Sequence, residues 1–262
     1  MTPNEFGSNP SFFDLVRGMG SDPLRAPTAP SSEAPTLLPP HGTTVVALRF
    51  DGGVIMAGDR RAVEGYNIAD ERMEKVFPAD DHSVVGIAGV AAQAVEMVRL
   101  FQTELEHYEK VEGETLSLEG KANRLGQMIR GSLPLVMQGL VVVPIYGGFD
   151  LRRAEGRLFR YDAIGGRYEE TDYNATGSGS RDAKASLKKR WRPGLGRREA
   201  VEAAVESLLD ASEADTATGG PDPLRGIYPS VFVVTAEGVD EVPSEETRLA
   251  FEAVVARREG SS

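Results

Sequence analysis

The feature that most constrains this chain is an abrupt change of composition at residue 43. Eight of the 16 prolines lie in the first 42 residues, among Ser, Thr, Gly and Ala, and proline interrupts regular structure. From Thr43 the chain reads Thr-Thr-Val-Val-Ala-Leu-Arg-Phe, which is β-branched and apolar, as is typical of a buried strand. The sequence therefore predicts a flexible leader over residues 1–42 and a folded domain over residues 43–262.

Strand and helix patterns alternate in groups along the folded part. A β-hairpin starts at Thr43 and turns at Asp51-Gly52-Gly53, and residues 83–89 form a further apolar strand. Apolar residues then recur at helical spacing over 90–108 and again from Ser117, and Pro134 should kink or end the second helix. The later predictions are strands over 140–146, 158–164 and 167–171, helices over 181–191 and 197–212, a hairpin of 230–236 with 239–242, a helix over 244–258, and turns at Gly147-Gly148 and Gly165-Gly166.

The order of these elements indicates the fold class. Three strands are followed by two helices, three strands, two helices, two strands and a final helix. Such grouping favours two stacked sheets with helix pairs on the outer faces, and it does not match the strict βαβ alternation of a doubly wound sheet. The predicted class is therefore α+β.

Composition excludes several kinds of partner and chemistry. Lys plus Arg is 29 against 40 for Asp plus Glu, and the resulting net charge of -11 argues against binding to nucleic acid or anionic membranes. Without cysteine there is no disulfide, thiolate zinc site, iron–sulfur cluster or thiol nucleophile. The three histidines, His41, His82 and His107, have no metal-ligand neighbours at i+2 or i+4. No cofactor is expected.

The start of the chain does not read as an export signal. A secretory signal needs an unbroken apolar run, and the first 20 residues include Asp14 and Arg17. The most apolar segment, residues 133–145, is interrupted by Pro134, Gln138 and Pro144, so it falls short of the roughly 18 apolar residues of a membrane helix. We therefore expect a soluble, cytoplasmic protein.

The junction between leader and domain carries a possible chemistry of its own. Cutting between Gly42 and Thr43 would expose a threonine whose α-amino group, with a pKa of about 7.7 to 8.0, can take the proton of the adjacent hydroxyl. Gly42 would leave the scissile carbonyl sterically open. The alternative interpretation is a disordered tail joined to a first strand, and the junction by itself favours that alternative.

Six short motifs lie along the chain. They are Gly42-Thr43-Thr44, Gly58-Asp59-Arg60-Arg61, Glu74-Lys75-Val76-Phe77, Gly86-Ile87-Ala88-Gly89, Gly177-Ser178-Gly179-Ser180 and Asp215-Thr216-Ala217-Thr218-Gly219-Gly220. This series resembles that of a proteasome β subunit, and the similarity covers residues 43 to about 242. The leader, the stretch Leu105-Glu106-His107-Tyr108-Glu109-Lys110 and residues 215–228 resemble the actinobacterial form in particular. The resemblance implies a four-layer αββα sandwich of the N-terminal-nucleophile hydrolase type.

The resemblance also implies a role for each matching residue. Thr43 would be the nucleophile after autocleavage at Gly42-Thr43, and Lys75, oriented by Asp59, would stabilise its alkoxide. The alternative interpretation of Asp59 and Lys75 is a surface ion pair. The remaining catalytic residues implied are Ser178 and Asp215, which orient the threonine amine, Thr218 where the family often has serine, and Gly89, whose backbone N–H would form the oxyanion hole.

A substrate pocket follows from the same resemblance. Its side chains are all apolar, which would suit large apolar P1 residues and leave a charged P1 residue without a partner. The backbone at Val63 would pair with an extended substrate as an added strand. The alternative is that several pocket residues simply belong to the core. The pocket residues are Ala62, Met73, Ile87, Ala91 and Val95.

The implied function is that of a threonine endopeptidase in a 20S-type proteasome core particle. Such a particle stacks seven-membered rings of this chain between rings of α-type subunits, and a ring ATPase feeds it unfolded polypeptides. Two alternatives stay open. One is a noncatalytic ring subunit that uses the fold as a scaffold. The other is a small-molecule amidase of the same superfamily, which would require a closed polar pocket that the sequence does not reveal.

Overall fold

The computed structural model describes residues 42–64 and 67–260. Apart from Gly42, the predicted leader lies outside the described residues, and so does His41. In chain order the strands are β1 (Thr44–Phe50), β2 (Gly53–Gly58), β3 (Ala62–Glu64), β4 (Asn67–Asp70), β5 (Val76–Asp80), β6 (Ser83–Gly89), β7 (Val142–Asp150), β8 (Glu155–Tyr161), β9 (Arg167–Glu170), β10 (Tyr173–Gly177), β11 (Ser230–Thr235) and β12 (Gly238–Glu241). The helices are α1 (Ala91–Glu112), α2 (Leu118–Gly131), α3 (Leu133–Val136), α4 (Ser180–Arg190), α5 (Arg197–Ala214) and α6 (Ser244–Glu259).

Ten of the strands form two five-stranded sheets in which every neighbouring pair is antiparallel. The spatial order is β10-β1-β2-β11-β12 in the first sheet and β5-β6-β7-β8-β9 in the second. β3 and β4 form a separate two-stranded hairpin. Strand β1 is an interior strand of the first sheet, between β10 and β2, and the candidate site lies at its beginning.

The two sheets pack face to face, and helices cover both outer faces. Strand β1 shows the period of two that this requires, because Val45 and Ala47 face the second sheet while Val46 and Leu48 face helices. Helices α4, α5 and α6 share a core with the first sheet, and α1 and α2 share one with the second. The predicted α+β class and the four-layer αββα sandwich are confirmed.

Most predicted elements are present with boundaries shifted by a few residues. Helix α2 begins after the N-cap Ser117, whose hydroxyl accepts a hydrogen bond of 3.1 Å from Gly120 N. It ends at Gly131, and Pro134 lies inside the separate short helix α3, so the predicted interruption is confirmed. Among the described residues, no helix is both long and apolar enough to cross a membrane.

The turn predicted at Gly147-Gly148 is wrong. Both glycines lie inside β7, and the chain turns at residues 151–154. A Cβ on Gly147 would lie 2.9 Å from Val54 Cγ1, and one on Gly148 would lie 2.5 Å from Leu118 Cδ1. Glycine is present because adjacent layers approach the strand too closely for side chains.

Four strands lack a sequence signal strong enough to predict them. Strands β3 and β4 are short, β4 is exposed throughout, and β5 contains Pro78. Strand β10 includes the polar Asn174 and pairs with β1, which is far away in sequence. Their pairing depends on long-range contacts rather than on a local hydrophobic pattern.

Candidate active site

Three adjacent strand ends meet at one edge of the first sheet. Strand β1 lies between β10 and β2, with Thr44 opposite Gly177 and Val45 opposite Gly58. Because both neighbours run antiparallel, the start of β1 lies beside the ends of β10 and β2. This register brings together the predicted site residues Thr43, Asp59 and Ser178.

Thr43 is buried immediately before β1, and its hydroxyl faces the bond predicted to be cleaved. Thr43 Oγ1 donates a hydrogen bond of 2.8 Å to the carbonyl oxygen of Gly42. Gly42 has no room for a side chain, because a Cβ there would lie 2.0 Å from Ala217 Cβ and 2.5 Å from the Ala217 carbonyl oxygen. The fold therefore requires glycine on the N-terminal side of Thr43 for a steric reason.

Lys75 lies just before β5, and three oxygen atoms surround its amino group. Lys75 Nζ is 2.6 Å from Asp59 Oδ1, 2.6 Å from the Arg61 carbonyl oxygen and 3.4 Å from the Gly42 carbonyl oxygen. Three acceptors match the three N–H donors of a charged lysine. The side chains of Lys75 and Asp59 are 1% and 0% exposed. The alternative of a surface ion pair is therefore wrong.

The Asp59 carboxylate is held by backbone groups as well as by Lys75. Oδ1 also accepts a hydrogen bond of 2.7 Å from Thr44 N, and Oδ2 accepts bonds of 3.0 Å from Arg61 N and 2.8 Å from Gly219 N. A buried carboxylate is stable only when its oxygens are paired in this way. Asp59 consequently has a fixed orientation toward Lys75.

Burial dominates the ionisation of Lys75. Desolvation lowers the pKa of Lys75 below its usual 10.5, and the nearby Arg61 cation acts in the same direction. The charge and hydrogen bond of Asp59 oppose this effect without cancelling it. The amino group beside Gly42 therefore releases a proton more readily than a surface lysine does.

The loop after β10 holds the carbonyl group of Thr43. Ser178 N donates a hydrogen bond of 2.9 Å to the Thr43 carbonyl oxygen, and Ser178 Oγ lies 3.5 Å from the same atom. Gly177 adopts φ of 101°, and a Cβ on it would lie 1.7 Å from that oxygen. Only glycine permits this close approach, which sets the distance between the loop and Thr43.

Asp215 follows α5 and faces the same loop. Its Oδ2 accepts a hydrogen bond of 2.6 Å from Thr218 Oγ1, and its Oδ1 accepts one of 3.1 Å from Ala217 N. Burial raises the pKa of Asp215, but hydrogen bonds from Ser178 and Thr218 outweigh it and hold the pKa below the usual 3.8. Asp215 is therefore a carboxylate at neutral pH.

Gly89 ends β6 with a backbone conformation that suits glycine. Its φ is 128°, it pairs with Val142, and a Cβ on it would lie 2.0 Å from the Val141 carbonyl oxygen. These constraints explain the glycine structurally. A role for its N–H in an oxyanion hole stays a prediction.

Comparison with known proteins decides the family. Residues 40–222 match the family model for proteasome subunits. The chain belongs to the proteasome family. It is also 60% identical over 222 residues to a proteasome subunit beta of Acidimicrobium ferrooxidans, an alignment that covers 84% of this chain and 81% of that protein. The resemblance to an actinobacterial proteasome β subunit is confirmed, and with it the N-terminal-nucleophile hydrolase type of fold.

The residues predicted to line a proteasome-type substrate pocket have differing surroundings. Ala62 and Val63 are half-buried on β3, and Met73 is half-buried, with its N–H donating to the Arg60 carbonyl oxygen at 3.0 Å. Ile87 is buried in the core between the second sheet and its helices. Ala91 is half-buried at the first position of α1, and Val95, one turn later, packs against the same core. Their place in a pocket stays a prediction.

Two residues in this site were not assigned a role from the sequence. Arg61 accepts the bond from Lys75 through its carbonyl oxygen, and its Nη1 donates to the Thr216 carbonyl oxygen at 3.1 Å. Thr44 contacts Asp59 and Thr218. Both belong to motifs that carry the family resemblance, and Thr44 is also a polar residue at the start of a mostly apolar strand.

Within the described ranges, no group of three or more His, Asp and Glu side chains is placed to hold a metal ion.

Proposed function

We propose that this chain is a threonine endopeptidase, the catalytic β subunit of a 20S-type proteasome core particle, and that it matures by cleaving its own Gly42–Thr43 bond. One observation carries the proposal. The carbonyl oxygen of Gly42 faces both the Thr43 hydroxyl, at 2.8 Å, and the buried Lys75 amino group, at 3.4 Å. A nucleophile and a cation are thus next to the same peptide bond.

The autocleavage chemistry follows from these contacts. Thr43 Oγ1 attacks the carbonyl carbon of Gly42, and negative charge develops on the oxygen that Lys75 faces. The C–N bond then breaks, the Thr43 nitrogen takes up the proton from the hydroxyl, and an ester joins Gly42 to Thr43 Oγ1. Water hydrolyses the ester, which releases the leader as a carboxylate and leaves Thr43 with a free hydroxyl and a free amine.

The free terminus then serves peptide hydrolysis. Thr43 Oγ1 attacks a substrate carbonyl while the Thr43 amine takes its proton and passes it to the leaving nitrogen. Lys75, held by Asp59, favours the alkoxide, and the Gly89 N–H steadies the oxyanion. Water hydrolyses the resulting ester. The amine is oriented by Ser178, Asp215 and Thr218.

Substrate binding involves the hairpin next to the site. An extended peptide adds as a strand along the backbone at Val63, which needs no particular side chain. Its P1 side chain enters an apolar pocket formed by Ala62, Met73, Ile87, Ala91 and Val95. A charged P1 side chain would lose hydration there without gaining a partner.

We therefore predict faster cleavage after large apolar residues than after acidic ones. A panel of fluorogenic peptides that differ only at P1 checks this prediction with purified particles. Equal or faster cleavage after glutamate would contradict the pocket assignment while leaving the nucleophile unaffected.

Family membership supports the assembly part of the proposal. We propose stacked seven-membered rings of this chain between α-type rings, with a ring ATPase that delivers unfolded polypeptides, in the cytoplasm. The similarity to a protein described as a proteasome subunit beta is what supports these partners.

A noncatalytic ring scaffold is the rival function. A scaffold has no need for a desolvated lysine, since burying an ion pair costs several kcal/mol unless its geometry is excellent. The buried Lys75–Asp59 pair next to a Thr43 hydroxyl is instead the arrangement that threonine chemistry needs. These observations favour the enzyme.

The N-terminus of the assembled protein tests the proposal directly. Mass spectrometry of wild-type particles should find a chain that starts at Thr43. Particles with Thr43→Ala should keep the leader and lack peptidase activity, because no Oγ1 remains to attack, whereas Thr43→Ser should still be processed to a measurable extent. An intact leader in wild-type particles, or processed and active Thr43→Ala particles, would overturn the proposal.

A further inference from the structure

Thr44 is fully buried beside the proposed nucleophile and has no part in the proposed reaction. It contacts two groups of residues in the site, which are also connected by the bond from Gly219 N to Asp59 Oδ2. The ion-pair half consists of Asp59 and Lys75, and the hydroxyl half consists of Ser178, Gly179, Asp215 and Thr218.

The backbone of Thr44 holds the ion-pair half. Thr44 N donates a hydrogen bond of 2.7 Å to Asp59 Oδ1, the same oxygen that accepts one of 2.6 Å from Lys75 Nζ. In return, Asp59 N donates a hydrogen bond of 3.1 Å to the Thr44 carbonyl oxygen. The position of Thr44 therefore fixes the carboxylate that orients Lys75.

The side chain of Thr44 holds the hydroxyl half. Gly179 N donates 2.9 Å to Thr44 Oγ1, and Thr44 Oγ1 is 2.7 Å from Thr218 Oγ1. Thr218 has a single hydroxyl proton, and it donates that proton to Asp215 Oδ2 at 2.6 Å. Thr44 must consequently be the donor to Thr218. The bonds run in one direction, from Gly179 through Thr44 and Thr218 to the Asp215 carboxylate.

The packing around these hydrogen bonds leaves no space for a side chain at residue 179. A Cβ on Gly179 would lie 2.7 Å from Thr218 Oγ1 and 2.8 Å from Thr44 Oγ1. Asp215 also lies at the C-terminal end of α5, where the helix dipole disfavours a negative charge. Donors aligned toward the carboxylate offset this effect, and each bond in such a chain strengthens the next.

We propose that Thr44 is a positioning residue that joins the two halves of the site. Its backbone orients Asp59, and its hydroxyl aligns Thr218 and Asp215 with the terminal amine of Thr43. The inference rests on the proposed function, because it concerns the same reaction.

Two pairs of variants isolate the hydroxyl in the full-length chain, assembled with an α-type subunit. Wild type and Thr44→Val differ in the hydroxyl at nearly constant volume, and Thr44→Ser and Thr44→Ala differ in it after loss of the methyl group. Within each pair, loss of the hydroxyl should lower kcat per processed site by about tenfold to a hundredfold and leave KM within about twofold. Thr44→Ser should remain close to wild type. Thr247→Val, which removes another buried threonine hydroxyl on α6, serves as the matched control and should keep wild-type kcat.

A double-mutant cycle tests whether Thr44 acts through Thr218. If Thr44 acts through Thr218, Thr44→Val combined with Thr218→Val should lower kcat no further than Thr218→Val does alone. Additive effects would overturn the inference, and so would equal kcat for Thr44→Ser and Thr44→Ala. The Ser/Ala pair decides the question if Thr44→Val does not assemble.

The outcomes separate this inference from the function on which it rests. A wild-type particle that is inactive and keeps its leader overturns the proposed function. An active wild-type particle whose kcat is unaffected by loss of the Thr44 hydroxyl overturns only the role of Thr44.

Discussion

Lys75 and Arg157 are both buried cations paired with carboxylates, yet their surroundings differ. Lys75 lies in the candidate site, and Arg157 lies on β8 in the second sheet. Their side chains are 1% and 2% exposed. Burial alone therefore does not distinguish a catalytic cation from a structural one.

The partners of Arg157 match its guanidinium group. Nε donates a hydrogen bond to Glu169 Oε1 and Nη2 donates one to Glu169 Oε2, both of 2.7 Å, and Nη1 donates one of 3.0 Å to Asp150 Oδ2. Hydrogen bonding to Glu169 raises the pKa of Arg157 despite the burial. Such bidentate pairing is what arginine provides and lysine does not.

The partners of Lys75 leave it less well compensated. Desolvation lowers its pKa although Asp59 opposes the shift, and its longest contact is to the carbonyl oxygen of Gly42. Under the proposed function, Lys75 is therefore distinguished from Arg157 by incomplete compensation of its charge together with a contact to the Gly42–Thr43 bond.

Replacing Lys75 should have the largest effect on activity. Lys75→Ala removes the cation from the site and should lower kcat by at least about 10² to 10³. Particles should still assemble, because the N–H groups of Thr44, Arg61 and Gly219 still hold Asp59. Lys75→Arg should not restore activity, since a planar guanidinium cannot occupy the position of Nζ between two oxygens that are each 2.6 Å away. Peptidase assays on particles of verified size provide the measurement. Full activity in either variant would show that Lys75, like Arg157, is not needed for the chemistry.

Replacing Arg157 should change stability and leave the chemistry unaffected. Arg157→Ala leaves the largely buried Asp150 without its partner, which should cost about 3 kcal/mol and lower the unfolding temperature of the particle by about 6 to 12 °C. In assembled particles kcat should remain within about twofold of wild type. Glu169→Gln is the milder control, because Glu169 is 39% exposed and water compensates part of the loss. A large fall in kcat in normally assembled Arg157→Ala particles would contradict this prediction and show that Arg157 contributes to the chemistry.

Both clusters should gain stability as the pH rises, but in different pH windows, and this effect is the smallest. The pKa of Glu169 is lowered below 4.5 by its hydrogen bond from Arg157. Burial raises the pKa of Asp150, but its own hydrogen bond from Arg157 and bonds from backbone N–H groups outweigh burial and lower that pKa below 3.8. Their stabilisation is present above these usual values and is lost as the pH falls through the folded-state values. The stability difference between wild type and Arg157→Ala should therefore narrow below pH 4.5.

Lys75 should show the same sign in an alkaline window. Its folded-state pKa lies below the usual 10.5, so the unfolded chain binds more protons between the two values and stability rises with pH in that window. Wild type should gain stability relative to Lys75→Met as the pH approaches 10.5. Unfolding temperatures measured across pH test both windows, and equal slopes for wild type and Lys75→Met would contradict the lowered pKa.

Local sequence was enough for elements whose signals are local. The β-branched run and the Asp51-Gly52-Gly53 turn predicted the β1–β2 hairpin, and Ser117 predicted the start of α2. The motifs around Thr43, Asp59 and Lys75 also marked these residues as candidates for the proposed chemistry, through their resemblance to the motifs of a proteasome β subunit.

The contacts between those residues depend on the tertiary structure. The glycines at 147 and 148 look like a turn until the neighbouring layers are known, and β10 is a strand because it pairs with β1. The same long-range pairing places Gly179 and Thr218 against the Thr44 hydroxyl. The amino-acid sequence shows which chemical groups are available and where the first strand begins. Their burial, their pairing and the direction of their hydrogen bonds depend on contacts between residues far apart in the chain, which no local pattern encodes.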